Sequence, residues 1–229
     1  MDTTHIMLEG RTIALAIRRH RRARRISLRL SPARDGIVMT LPGRASVASG
    51  MAFFTSKANW VLRNVEEDTA VPLTDGTVIP VLGEECVIRH MPGRGVGELT
   101  AGELRVHGAL EFISRRVRDF LKKHLREACL ARAQAMAQSM GKSVRDVRIR
   151  DTRSRWGSCS RGGILTFHWQ LVFAPEHILH YLIAHEVAHL KEMNHSERFW
   201  RAVAQLCPDY MRARRWLKTQ GHTLHRFGR

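Results

Sequence analysis

The sequence predicts an α+β fold in three parts: a β-rich N-terminal half, one long central helix, and a C-terminal half that carries the chemistry. Three observations lead there. Alternating apolar runs punctuated by Gly and Pro fill the chain up to about residue 108, and an apolar stripe at helical spacing follows from about Leu110 to Met140. Beyond it, strand-like runs give way to a helical run that contains HEVAH. The boundary is accordingly expected between a β-rich region, residues 1–108, and a compact second region, residues 109–229.

Taken in order, ISLRL alternates Ile26, Leu28 and Leu30 with polar residues, and GIVMTL resumes after the SPARDG turn, which reads as a hairpin. Its leading edge is the run from Arg18 to Arg25, with six arginines and no acid, expected on a sheet edge where it presents an anion-binding surface. Ser46 is placed to cap a helix reaching about Val65. Thr77–Leu82 and Cys86–His90 read as strands joined at Gly83, and MPGRGVGELTAGEL as a connecting hairpin or loop before a strand-like LRV. The long helix carries Phe112, Val117, Phe120, Leu121, Leu125, Cys129, Ala133 and Met136 on its stripe and stops at Gly141. After a strand at Val144–Arg150, the run Ile164–Phe173 reads as one strong strand, and Pro175 opens the next helix with Glu176 in its first turn. Ser196 caps a helix to about Leu206, Pro208 stops it, and a last helix from Tyr210 to Lys218 leads into a basic, frayed tail.

At 229 residues and 44% hydrophobic composition, the chain can bury a core without staples. No apolar run is long enough to span a bilayer, and MDTTHIMLEG lacks the features of a signal peptide, so the expected location is cytoplasmic, with no membrane partner. Cys86, Cys129, Cys159 and Cys207 form no CxxC pair and read as free thiols. The formal charge of +17 attracts polyanions, and the Arg-rich surface is a candidate for non-specific nucleic-acid contact, though solvated faces account for it equally well.

The most informative stretch is AHEVAHLKEMNHSERFW, Ala184–Trp200. His185 and His189, four residues apart on a helix, project from one face, and Glu186 reaches the edge of that face. Two imidazoles and an adjacent carboxylate are a metal site with a base beside it, and zinc, Zn2+, suits such a donor set with one position left open. The third ligand lies beyond His189: His195 if the chain turns near Met193 and Asn194, or Glu197 or a later acid. His177 and His180 do not share the face. The spacing is similar to that of the metzincins, but Glu192 stands where those proteins need Gly.

SRWGSCS (Ser154–Ser160), the LVFAP strand end, HEVAH, NHSERFW and CPDY, in this order, resemble the YgjP-like metallopeptidase family, itself related to the SprT-like zinc proteins. The resemblance is strongest from Asp151 to Leu217 and departs at His168, where Asn is expected. It implies a minimal zincin-like catalytic half with a sheet packed on the HExxH helix. It further implies a zinc-dependent hydrolase with His185, His189 and His195 as metal ligands and Glu186 as catalytic acid/base. Peptide bonds are the expected substrate. The alternatives are a nucleotide pyrophosphatase, since a family member is described as acting on UTP, and a non-catalytic nucleic-acid-binding protein with a structural zinc. Arg155 and Ser158, with Trp156 and Cys159 beside them, Arg198 on the next helix, and Tyr210 are the candidate substrate-binding residues.

Overall fold

The computed structural model describes residues 3–31, 36–66, 70–152 and 155–228. The chain forms two compact units, Met1–Thr69 and Ala70–Arg229. The division therefore does not fall at 108/109. Strands after residue 78 bury Ile79, Val81, Ile88, Leu104 and Val106 in the same core as the long helix, which ties them to the second unit.

In the first unit, β1 (Thr3–Leu8), β2 (Arg11–His20), β3 (Ser27–Leu30) and β4 (Ile37–Pro42) form a sheet in the order β1-β2-β4-β3. β3 and β4 pair antiparallel, as the hairpin reading requires, while Pro32–Asp35 of its turn lie outside the described residues. β1, unread in the sequence, pairs with β2 only as far as Thr3↔Ala16. Arg18 and Arg19 therefore have β4 on one side and, among the described residues, no strand on the other. Ser46 caps α1 (Val47–Ser56) by accepting from the Ser49 N–H at 3.0 Å. The expected single helix is broken at Lys57, after which α2 (Ala58–Glu66) begins. Leu15, Met39, Leu41, Phe54 and Val61 close this unit's own core.

The second unit opens with β5 (Val78–Val81), β6 (Glu84–Met91), β7 (Glu98–Thr100) and β8 (Glu103–His107), in the order β5-β6-β8-β7. A 3₁₀ turn then leads into α3 (Ile113–Ser139), which buries every fourth residue from Ile113 through Val117, Leu121, Leu125, Cys129 and Ala133 to Ala137. Phe112, expected on this stripe, precedes the helix and is exposed. A three-stranded sheet follows, ordered β10-β11-β9, from β9 (Asp146–Arg150), β10 (Gly157–Cys159) and β11 (Ile164–His168). β11 lies between the other two, parallel to β9 and antiparallel to β10, so β10 keeps one edge unpaired among the described residues. α4 (Glu176–Ala188), α5 (Glu197–Leu206) and α6 (Tyr210–Gln220) complete the unit. α4 touches α3, β10, α5 and α6, and the residues around it are apolar on nearly every side. Among the described residues, no helix is long and apolar enough to cross a membrane.

Two sequence expectations are corrected here. The run Ile164–Phe173 is not one strand: β11 ends at His168, and Trp169–Phe173 form a buried 3₁₀ turn whose Gln170 N–H donates to the His168 ring. Thr166, His168 and Gln170 alternate with Leu165, Phe167, Trp169 and Leu171, so the period of a strand runs on past the end of β11 and alternation could not mark where the turn begins. The tail is not frayed. After α6 the chain makes a 3₁₀ turn over Gly221–Arg226, Leu224 and Phe227 are buried, and Phe227 stacks on Phe173 at 4.5 Å. Replacing Phe227 by Ala should cost about 3 kcal/mol or more, as for other buried aromatics. Urea unfolding of the full chain measures this, and a loss below about 0.5 kcal/mol would mean the tail carries no core packing.

Candidate metal centre

α4 and the turn after it assemble three histidines from a short stretch of chain. His185 and His189 are one helical turn apart, and the helix ends at Ala188 with His189 as its C-cap, earlier than Met193–Asn194. The connecting turn closes when the Asn194 side-chain carbonyl accepts from the Ser196 N–H at 3.3 Å and the Ser196 hydroxyl caps α5. That return places one ring nitrogen each of His185, His189 and His195 within 4.8 Å of one another. Nε2 of His185 and Nε2 of His195 face each other at 3.2 Å, close to the edge of about 3.3 Å in a tetrahedron with metal–nitrogen bonds of about 2.05 Å. Phe199, fully buried on α5, contacts all three imidazole rings at 4.5–4.9 Å and holds their spacing.

Electrostatically the triad is prepared for a cation. Burial first, then the neighbouring rings of His189 and His195 and the charge of Arg214, pushes His185 down to about 3. Burial also lowers His189. Both rings are therefore neutral at ordinary pH and present lone pairs. The His189 Nδ1–H donates to the Glu192 carbonyl at 3.0 Å, which leaves Nε2 as the free donor atom, the arrangement found behind metal-bound histidines. Nδ1 of His185 and Oε2 of Glu186 are buried with no hydrogen-bond partner among the described residues. Three imidazole nitrogens this close together, with an unpartnered carboxylate oxygen on the residue after the first, fit a divalent ion.

Glu186 is 3% exposed, and burial pushes its carboxyl up to about 8 against the opposing pull of Arg155. Its side chain lies on the backbone of β10. A Cβ at Gly157 would stand 2.9 Å from both Cγ and Cδ of Glu186 and closer still to Oε1, so only glycine leaves room for the carboxylate. Glu186 is thus next in sequence to the first histidine of the triad and packed on a strand that keeps one edge unpaired among the described residues.

The remaining candidates divide. Arg155 is near enough for its charge to act on Glu186, and Ser158 lies on β10, whereas Ser154 falls outside the described residues. Tyr210 stacks on Trp200 at 5.4 Å, and Arg198 is exposed on α5. Glu197, the rival ligand, faces outward beside Arg201 and is not in the triad. His168 has both nitrogens engaged elsewhere: Nδ1 accepts from the Gln170 N–H, and Nε2 meets Asp151 at 3.3 Å. Trp156 stacks on His225 of the C-terminal turn at 4.6 Å, a packing role. The Cys159 thiol, pushed up to about 11 by burial and the Glu186 charge, stays protonated, and all four cysteines are free. His180 meets the Leu206 carbonyl and His177 is exposed, so neither joins the triad.

Sequence reasoning missed three contributors. Gly157 looks like any bend residue, and Trp200, stacked beside His195, looks like a core aromatic. Arg214, over the Trp200 ring at 4.6 Å, lies in no motif. The first two lie within the quoted motifs SRWGSCS and NHSERFW, while Arg214 had only its spacing of one helical turn from Tyr210.

Compared with known proteins, residues 24–220 match the family model described as YgjP-like, metallopeptidase domain. A search of curated proteins returned no match. Among solved structures, the metallopeptidase zymogen of Pyrococcus abyssi abylysin is similar at 28% identity, with a TM-score of 0.35, covering 41% of this chain and 94% of that one. With the family model spanning the HExxH helix, the returning third histidine and most of what precedes them, the chain belongs to the YgjP-like metallopeptidase family and is a metallohydrolase.

Proposed function

We propose that this metallohydrolase is a zinc-dependent peptidase in which His185, His189 and His195 hold the ion and Glu186 accepts the proton. The observation that carries the reading is the position of Glu186, buried against Gly157 on the open-edged strand β10 and next in sequence to the first histidine of the triad. Three imidazole nitrogens suit zinc. When bound, zinc supplies a Lewis acid that acidifies water and polarises the oxygen under attack.

The chain's own residues do the rest. Glu186 takes a proton at its unpartnered Oε2 and returns it to the leaving nitrogen. Its burial excludes competing water, while the Arg155 charge keeps the carboxylate accessible to ionisation. The backbone groups of Gly157–Cys159 that β11 does not use are available to align an extended peptide by strand addition. Ser158, on that strand, and the exposed cations Arg155 and Arg198 contact the substrate, and Tyr210 acts through Trp200.

Glu186→Gln should retain stoichiometric zinc, measured by elemental mass spectrometry, and lose about 10²–10⁴-fold in turnover of a quenched fluorescent peptide library. Full activity in that variant would remove Glu186 from the mechanism. Conversion of UTP to UMP and pyrophosphate by wild type alone, followed by phosphorus NMR, with no peptide cut, would replace the peptidase reading with the nucleotide one.

Gly157→Ala should displace the Glu186 carboxylate while leaving the histidines in place. We expect unchanged zinc content and at least about a hundredfold fall in kcat, and an unaltered kcat would show that the strand does not position the base.

The metal-free protein gives a pH test. The folded state holds the Glu186 proton up to about 8, whereas the unfolded chain releases it near 4.5, so this stability is complete below 4.5 and is lost as pH rises through 8. His185, pushed down to about 3 in the folded state, is already neutral there over this range. Between pH 6.5 and 8 wild type should therefore lose about 2 kcal/mol that Glu186→Gln keeps, read from urea unfolding in chelator.

A further inference from the structure

Beside the triad, on the second unit, lies a cleft of about 600 Å³ whose wall includes His189. Four of its lining residues are cations, Lys142, Arg145, Arg161 and Lys191, and none is an acid. They come from three separate places: the α3–β9 connection, the β10–β11 turn and the turn after α4. All four are exposed, and among the described residues none has a side-chain hydrogen bond or ion pair.

Several arginines elsewhere on this unit do meet acids. Arg126 and Arg148 share Asp146, Arg132 meets Glu176 at 2.7 Å, and Arg89 and Arg105 share Glu103. Four like charges gathered around one concavity repel one another, and the arrangement is favourable only when an anion enters. The cleft is also tied to the catalytic strand. From Gly157, which touches Glu186, β10 runs directly into the Ser160–Gly163 turn that forms one wall. Three residues of strand advance about 10 Å, so a peptide lying along β10 with its reacting bond at Glu186 reaches the cleft about three residues away.

We infer that this cleft is a specificity subsite that binds an acidic side chain of the peptide substrate about three residues from the bond that is cut. The inference rests on the peptidase reading for its substrate and on the unpaired cations for its ligand chemistry.

The test separates the two. Fluorescein-labelled hexaglutamate and hexaglutamine are titrated by anisotropy into the metal-free full chain at fixed ionic strength. The proteins are wild type, Arg145→Glu/Arg161→Glu in the cleft, and Arg115→Glu/Arg116→Glu, which changes the net charge equally at the start of α3. The substituted side chains are exposed, and thermal melts confirm that each variant is folded. Hexaglutamate should bind wild type, weaken by about tenfold or more in the cleft variant, and change by less than about threefold in the control. Equal losses in both variants would overturn the proposal, since the general field then accounts for binding. Tripolyphosphate binding at the cleft without any hexaglutamate binding would overturn it too, in favour of a phosphate ligand.

With the zinc-loaded enzyme, peptides bearing Glu instead of Gln at the third position should show a lower KM in wild type and not in the cleft variant. If no peptide is cut while the cleft-specific binding persists, the peptidase reading fails and the anion site stands.

Discussion

A carboxylate buried in apolar surroundings constrains most of the second unit. Glu186 is buried in the apolar interior of this unit, on a helix that touches α3, β10, α5 and α6. Such a group is costly when ionised, and the structure lowers that cost by two nearby features: Arg155 on one side and the histidine triad on the other, where a dication would sit. Room for it comes from Gly157, because any side chain on that strand would occupy the space of the carboxyl. A base next in sequence to a metal donor and packed on an open-edged strand is poorly placed for fold stability and well placed for chemistry.

Around this pair the histidines are fixed by packing more than by hydrogen bonds. Phe199 contacts each of the three rings, Trp200 stacks beside His195, and Tyr210 and Arg214 cover Trp200 in turn. These side chains come from α5 and α6, so the two C-terminal helices form a second layer behind the donor set. On the far side of the strand the C-terminal turn plays a comparable part, with His225 stacked on Trp156 and bonded to Gln170, whose amide in turn donates to the Phe227 carbonyl. A tail that looks basic and featureless in sequence thus braces the entrance to β10.

Charge is distributed by the same logic. Some cations of the second unit share acids, as around Asp146 and Glu103. Beside His189 they do not. A total of +17 says little about function, but an acid-free cluster next to the histidine triad is a local statement that a net charge cannot make.

Much of this was legible along the chain. A four-residue spacing of histidines survives translation into structure because an α-helix fixes which residues share a face, and Ser46, Ser196 and Gly141 mark helix ends through local chemistry that needs no tertiary contact. The triad with its neighbouring Glu, the β3–β4 hairpin and the long helix were determined by the sequence in that sense. What only the tertiary structure decided is which side chains meet across elements far apart in sequence. Gly157 against Glu186, Trp200 against His195, and Lys142, Arg145, Arg161 and Lys191 around one cleft depend on how sheet and helices pack, as do the end of β11 at His168 and the burial of Phe227. Local propensity and periodicity carry no term for such contacts, because burial is a property of the folded surface and not of the residue.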